Sequence, residues 1–147
     1  MKHIAAALVT LLLASSAAAC SSLKQPSSEE LFAHAISVFR ARVVEARLAK
    51  FPNPLKPVEQ VEVVEAKFEI KEVLKGTPPA SGVVRDLPFA PGNCSLGLLP
   101  GMEYVFFPDA SGFVLLPGGS FGYINAEGSE VKSHLEALRK LAGASRQ

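Results

Sequence analysis

The chain is poor in cysteine, has no excess of charge of either sign, and shows no apolar run of membrane-spanning length outside its first twenty residues. Each scarcity excludes something. Only Cys20 and Cys94 are present, so an exported chain of this kind can form one internal disulfide and no more. The apolar run Ile4 to Leu13 ("IAAALVTLLL") is ten residues long, where a spanning helix needs about 20. Internal repeats and a nucleophile-elbow serine are absent too.

What stands at the N-terminus is a targeting signal. Lys2 supplies the positive start, the apolar run follows, and Ala17 and Ala19 occupy the −3 and −1 positions of an A-x-A cleavage site before Cys20. Residues 1–19 are therefore read as a signal peptide and 20–147 as one exported domain, a comfortable size for a single core. Removing Lys2 leaves 14 basic and 14 acidic side chains. That balance argues against nucleic acid, where a basic patch engages the phosphates, and against a polybasic membrane surface. "AAAC" also fits the bacterial lipobox, with Ala17 where Leu is usual. Two fates follow for Cys20. Lipidation converts its sulfur to a thioether, anchors the chain at the outer membrane and leaves Cys94 alone. A bridge to Cys94 instead closes a loop of about 75 residues, worth roughly 4 kcal/mol by chain entropy. The two exclude each other.

Along the domain, "PSSEELFAHA" predicts a short helix with Ser27 or Ser28 as cap and Glu30 completing a capping box. In "SVFRARVVEARLA" the apolar parity switches between Val43 and Val44, which predicts a strand with a bulge. "KFPNPLKP" carries three prolines and reads as a loop. From Val64 to Lys71 apolar and charged residues alternate, favouring a strand over a helix, with Glu65, Lys67, Glu69 and Lys71 on a solvated face. "VVRDLPF" is a third strand, and "APGNCSLGLLPG" a loop bearing Cys94. "MEYVFF" and "GFVLL" are expected to pair as a hairpin, with "PGGSFGY" irregular. The last element is a helix over about 129–142, with Ser129 as cap, Gly143 as stop, and Val131, Leu135, Leu138 and Leu141 as its apolar stripe. Together these elements predict a mostly β chain: a small five-stranded OB-type Greek-key barrel with a short N-terminal and a C-terminal helix.

Other polar residues suggest no catalysis. His34 and His134 each follow a glutamate by four residues (Glu30, Glu130), two ligands where zinc needs three or four. Asp86 and Asp109 read as separate turn-forming acids rather than a catalytic pair. Tyr104, Phe106 and Phe107 could stack bases on a barrel, but with no excess of basic charge at least two of them read as core.

Three stretches in order, "SVFRARVVEARL", "KFEIKEVLKG" and "NCSLGLLPGMEYVFF", resemble the N-terminal domain of the tissue inhibitors of metalloproteinases, within the netrin-like OB-fold superfamily. The resemblance covers about residues 20–116 and suggests a bacterial exported member. It implies a disulfide between Cys20 and Cys94. The family's second bridge begins at the third mature residue, here Ser22, and its partner region near residues 115–120 holds no cysteine, so both halves of that bridge are missing together. The resemblance also implies a non-enzymatic protein without a cofactor or metal of its own, whose partner is a zinc metalloprotease. The α-amine and carbonyl of Cys20 would chelate the protease's metal. Ser21 would enter the adjoining pocket, and Ser22 with the loop residues Gly92, Asn93 and Ser95 would complete the contacting edge. Such a protein would be periplasmic or extracellular; a lipid on Cys20, the alternative, would make it an outer-membrane lipoprotein with a structural or interaction role, touching the membrane through that lipid alone.

Overall fold

A computed structural model describes residues 26–53, 56–90 and 93–145. Cys20, Ser21, Ser22 and Gly92, with residues 1–19 where a signal peptide is expected, lie outside the described residues. The first described element is helix α1 (Ser28–His34). Its capping box forms as expected: the Ser27 hydroxyl accepts from the Glu30 amide at 3.2 Å and the Glu30 carboxylate accepts from the Ser27 amide at 2.8 Å. At its other end Lys75 donates to the carbonyls of Phe32 and Ala33 at 2.7 and 2.8 Å, satisfying acceptors that a helix end leaves open.

Five antiparallel strands follow in one sheet: β1 (Val38–Asn53), β2 (Lys56–Lys75), β3 (Val83–Asp86), β4 (Glu103–Phe106) and β5 (Phe121–Tyr123), in the order β3-β2-β1-β4-β5. Three consecutive strands with the fourth returning beside the first is the Greek-key arrangement, and the chain is mostly β, as expected of an OB-type barrel. The parity switch in β1 is a bulge: Val43 faces Phe68 and Glu45 faces Lys67, leaving Val44 without an opposite residue.

Several expectations are corrected. The proline-rich stretch is not all loop, because β1 runs to Asn53 and β2 starts at Lys56. Pro52 is accommodated because this part of β1 pairs with β2 alone, and a strand edge tolerates a missing donor. The fifth strand is not "GFVLL". Asp109 accepts from the amides of Ser111 and Phe113 at 2.7 and 3.0 Å and turns the chain away from β4. Phe113 then bridges Arg85 of β3 in parallel, with bonds of 2.8 Å on either side, which ties the segment after β4 to the β3 edge of the sheet. β4 takes Phe121–Tyr123 as its partner instead. Gly122 permits this, since a Cβ there would sit 2.5 Å from the Tyr104 ring. In the last helix, α2 (Ser129–Ala144), the N-cap is Gly128 with no side-chain bond, and Gly143 lies inside the helix rather than ending it.

The sheet buries both faces. Alternation along β4 sends Tyr104 and Phe106 into the barrel, with Phe39, Ala41, Val43, Ala66, Val84, Leu98 and Val114. It sends Val105 and Phe107 outward, where α1 and α2 cover them with Phe32, Leu135, Leu138 and Ala142. Tyr104, Phe106 and Phe107 are all core residues. On the rim of the outer face Arg139 of α2 grips Glu72 of β2 through two bonds of 2.8 Å.

Candidate functional site

The loop that carries Cys94 is held at one end of the barrel by a buried carboxylate. In β3, Val84 and Asp86 share a parity and both are fully buried, so the strand delivers an acid to the mouth of an apolar interior. Pro88 then ends the strand and the chain loops back. One carboxylate oxygen of Asp86, Oδ1, accepts from the Leu87 amide at 2.8 Å. The other, Oδ2, accepts from the Ser95 hydroxyl and from the amides of Leu96 and Gly97, all at 2.9 Å. Burial pushes the Asp86 pKa up, and these hydrogen bonds, led by Gly97 and Ser95, offset part of that shift. No basic side chain among the described residues forms an ion pair with it.

A second support comes from β4. The Tyr104 hydroxyl donates to the Gly97 carbonyl and accepts from the Leu99 amide, both at 2.8 Å. Burial raises the phenol's pKa and the Asp86 charge raises it further, so the group stays a donor throughout the ordinary pH range. A third comes from the segment after β4, where the Leu116 amide donates to the Cys94 carbonyl at 3.3 Å and Ser95 bridges Leu115 in antiparallel fashion. Strand end, barrel interior and neighbouring segment thus fix the loop together.

Of the residues expected at the site, Asn93, Cys94 and Ser95 fall in this loop. Asn93 and Cys94 are half-buried. The Asn93 side chain is used within the loop, donating to the Pro88 carbonyl and accepting from the Ser95 amide. Ser95 is 9% exposed, its hydroxyl turned toward Asp86. What these two offer a partner is therefore backbone and shape rather than free polar side chains. No free cysteine occurs among the described residues. Leu116, bonded to Cys94 across the loop, is an exposed apolar residue, and so is Phe89, 85% exposed, five residues earlier in the sequence.

The histidines stay apart. His34 lines a groove of about 390 Å³ between α1 and residues 107–110, and His134 stacks on Phe121 with ring centroids 4.4 Å apart. No group of three or more His, Cys, Asp or Glu among the described residues could hold a metal ion. Glu65 departs from the solvated face expected for it: it is half-buried and pairs with Arg85 and Arg47 at 3.0 and 3.2 Å. Asp86 is the residue that the turn-forming reading missed. Its signal was the alternation in "VVRD", which places the acid on the same face as Val84.

Among the described residues no helix is long and apolar enough to cross a membrane. No family model matches the chain, and no curated protein matches it.

Proposed function

We propose that this chain is an exported, non-enzymatic domain that presents an N-terminal cysteine edge, tied to the Cys94 loop, to a zinc metalloprotease and blocks it. The observation that carries the reading is the loop itself: Cys94 sits on a segment fixed from three sides, and no described cysteine is free. A bridge from Cys20 to such a loop gives the leading residue a rigid seat, and rigidity before binding reduces the ordering cost of association. The chemistry follows. The Cys20 amine, unprotonated, and the Cys20 carbonyl oxygen occupy the metal's open position in place of its water. Ser21 fills the neighbouring pocket, and the backbone of Ser22, Gly92, Asn93 and Ser95 forms the flanking wall.

The test compares the mature chain beginning at Cys20 with a form carrying one extra alanine before it, each titrated against a panel of zinc proteases. The first form inhibits at least one protease stoichiometrically, and the second loses that inhibition because the amine is displaced. Absence of inhibition by the free-amine form refutes the reading.

The "AAAC" site favours a second reading, in which Cys20 carries lipid and the barrel serves as a structural or protein-interaction module of the outer membrane. A lipidated Cys20 could not chelate, so the two readings exclude each other.

A further inference from the structure

We propose that Asp86 is the positioning residue for the Cys94 loop, and that its ionised carboxylate holds the loop in the shape the partner meets. The proposal rests on the functional reading above for its partner, and on hydrogen-bond geometry for its mechanism. One oxygen of a carboxylate can accept from several converging donors, and Oδ2 does so with the amides of Leu96 and Gly97 and with the Ser95 hydroxyl, whose single hydrogen it shares with the Leu87 carbonyl at 3.0 Å. A neutral acid or an amide cannot serve all the donors, because one of its two polar positions carries hydrogen. The loop's turn from Ser95 to Gly97 is wound around that single oxygen.

The surroundings give the group no other task. Asp86 is fully buried, and none of the described cavities is lined by it. Residues 87–102 carry no charged side chain. On the neighbouring ladder positions Arg85 and Glu65 face each other and pair at 3.0 Å, while Asp86 sits opposite Val64. From β4 the titratable group facing it is Tyr104, which stays neutral. Asp86 is thus a buried charge stabilised by donors from the loop, an arrangement that costs the barrel desolvation and has the loop as its beneficiary.

The sign of its titration separates the two roles. Burial raises the Asp86 pKa above its ordinary 3.8. A group with a raised pKa contributes stability in its protonated form, present below the ordinary value and lost as pH rises through the raised one. Acidification therefore loosens the loop, by removing an acceptor, without weakening the barrel through this group. Through this group the edge becomes acid-sensitive while the fold does not.

The experiment is residue-resolved amide exchange and NMR on the mature chain, wild type beside Asp86→Asn. Exchange at Leu96 and Gly97 rises at least tenfold in the variant, while Val43 and Val105 in the barrel change less than twofold. In wild type the amide shifts of residues 96 and 97 titrate together above pH 3.8, and in the variant that titration is gone. Unchanged loop exchange, an equal rise throughout the barrel, or a titration that persists in the variant each overturns the proposal. Should Asp86→Asn fail to fold, Ser95→Ala removes a hydroxyl that donates to Asp86 and also accepts from the Gly97 amide at 3.2 Å: faster exchange at both Leu96 and Gly97 by threefold or more supports the role, and no change at Leu96 overturns it. A protease arm runs in parallel. If wild type inhibits and the variant dissociates at least tenfold faster, the positional role extends to binding; equal dissociation rates overturn that role. If wild type inhibits nothing, the inhibitor reading falls and the loop measurements alone decide this one.

Discussion

Replacing Tyr104 by Phe removes one oxygen and tests how the barrel interior supports the loop. The ring is 1% exposed and stacks on Phe106 with centroids 5.3 Å apart, a contact that phenylalanine keeps. What disappears is the hydroxyl that donates to the Gly97 carbonyl and accepts from the Leu99 amide, both at 2.8 Å. A buried backbone group left without a partner costs about 1–3 kcal/mol. Leu99 is 57% exposed, so water can replace its lost acceptor; Gly97 is half-buried and bears most of the loss. The expected destabilisation is about 1–2 kcal/mol, a fall in Tm of roughly 3–8 °C for a domain of this length. Urea unfolding followed by circular dichroism measures it, with an unchanged m value showing that the same surface is exposed on unfolding. Amide exchange at Leu99 rises in the same variant, while exchange in β1 follows only the global change. A loss below about 0.3 kcal/mol, or a loss with no change at Leu99, refutes the reasoning that this hydroxyl supports the loop.

Other perturbations probe the frame on which the loop is mounted. Leu138 is fully buried between α2 and the sheet, so Leu138→Ala costs about 2–5 kcal/mol in urea unfolding; a loss under 1 kcal/mol would mean that α2 is not docked as described. Gly76 has φ +60° and lies against the Ile36 carbonyl, where a Cβ would collide, so Gly76→Ala costs about 2–4 kcal/mol by the same assay, and a neutral result contradicts the close approach. Hydrogen bonding to Arg139 holds the Glu72 pKa below its ordinary 4.5, with burial opposing and the charges of Arg139 and Arg40 assisting. Its contribution is present above pH 4.5 and is lost as pH falls through the lowered value. Arg139→Met should raise the Glu72 titration midpoint in carboxyl NMR while costing less than about 1 kcal/mol, since both side chains are partly exposed. An unmoved midpoint speaks against the clamp. Burial raises the Tyr123 phenol to about 12. Its contribution is complete below pH 10 and lost as pH rises toward about 12. Tyr123→Phe flattens that alkaline decline in a pH series of unfolding curves; an unaltered decline contradicts it.

Local features were legible where local chemistry decides them. The Ser27–Glu30 capping box, the strand character of β2 and the bulge at Val44 each need only neighbouring residues, and each appears as read, although Glu65 is half-buried and Ile70 exposed, against the alternation. Pairing choices were not legible in the same way. The apolar pattern of Phe113 and Val114 says that Val114 is buried, but it cannot say that Arg85 rather than β4 is the neighbour; Asp109 and the small size of Gly122 decide that. The prolines of residues 50–57 signalled a break, yet an edge position removes the penalty that makes proline a breaker. At the site, two cysteines and the loop around Cys94 could be picked out from the sequence. The hold on that loop could not, because its donors are backbone amides of Leu96 and Gly97 that meet Asp86 only after the chain has folded. An aspartate before Leu-Pro looks like a turn former until its parity with Val84 is noticed.

The central claim is that the leading residue of the mature protein is covalently tied to the Cys94 loop. Intact mass spectrometry of the protein taken from its native host tests it most directly. A chain starting at Cys20 and lighter by two hydrogens is the predicted result; fatty acyl mass on that residue, or a full complement of thiol hydrogens, would contradict it.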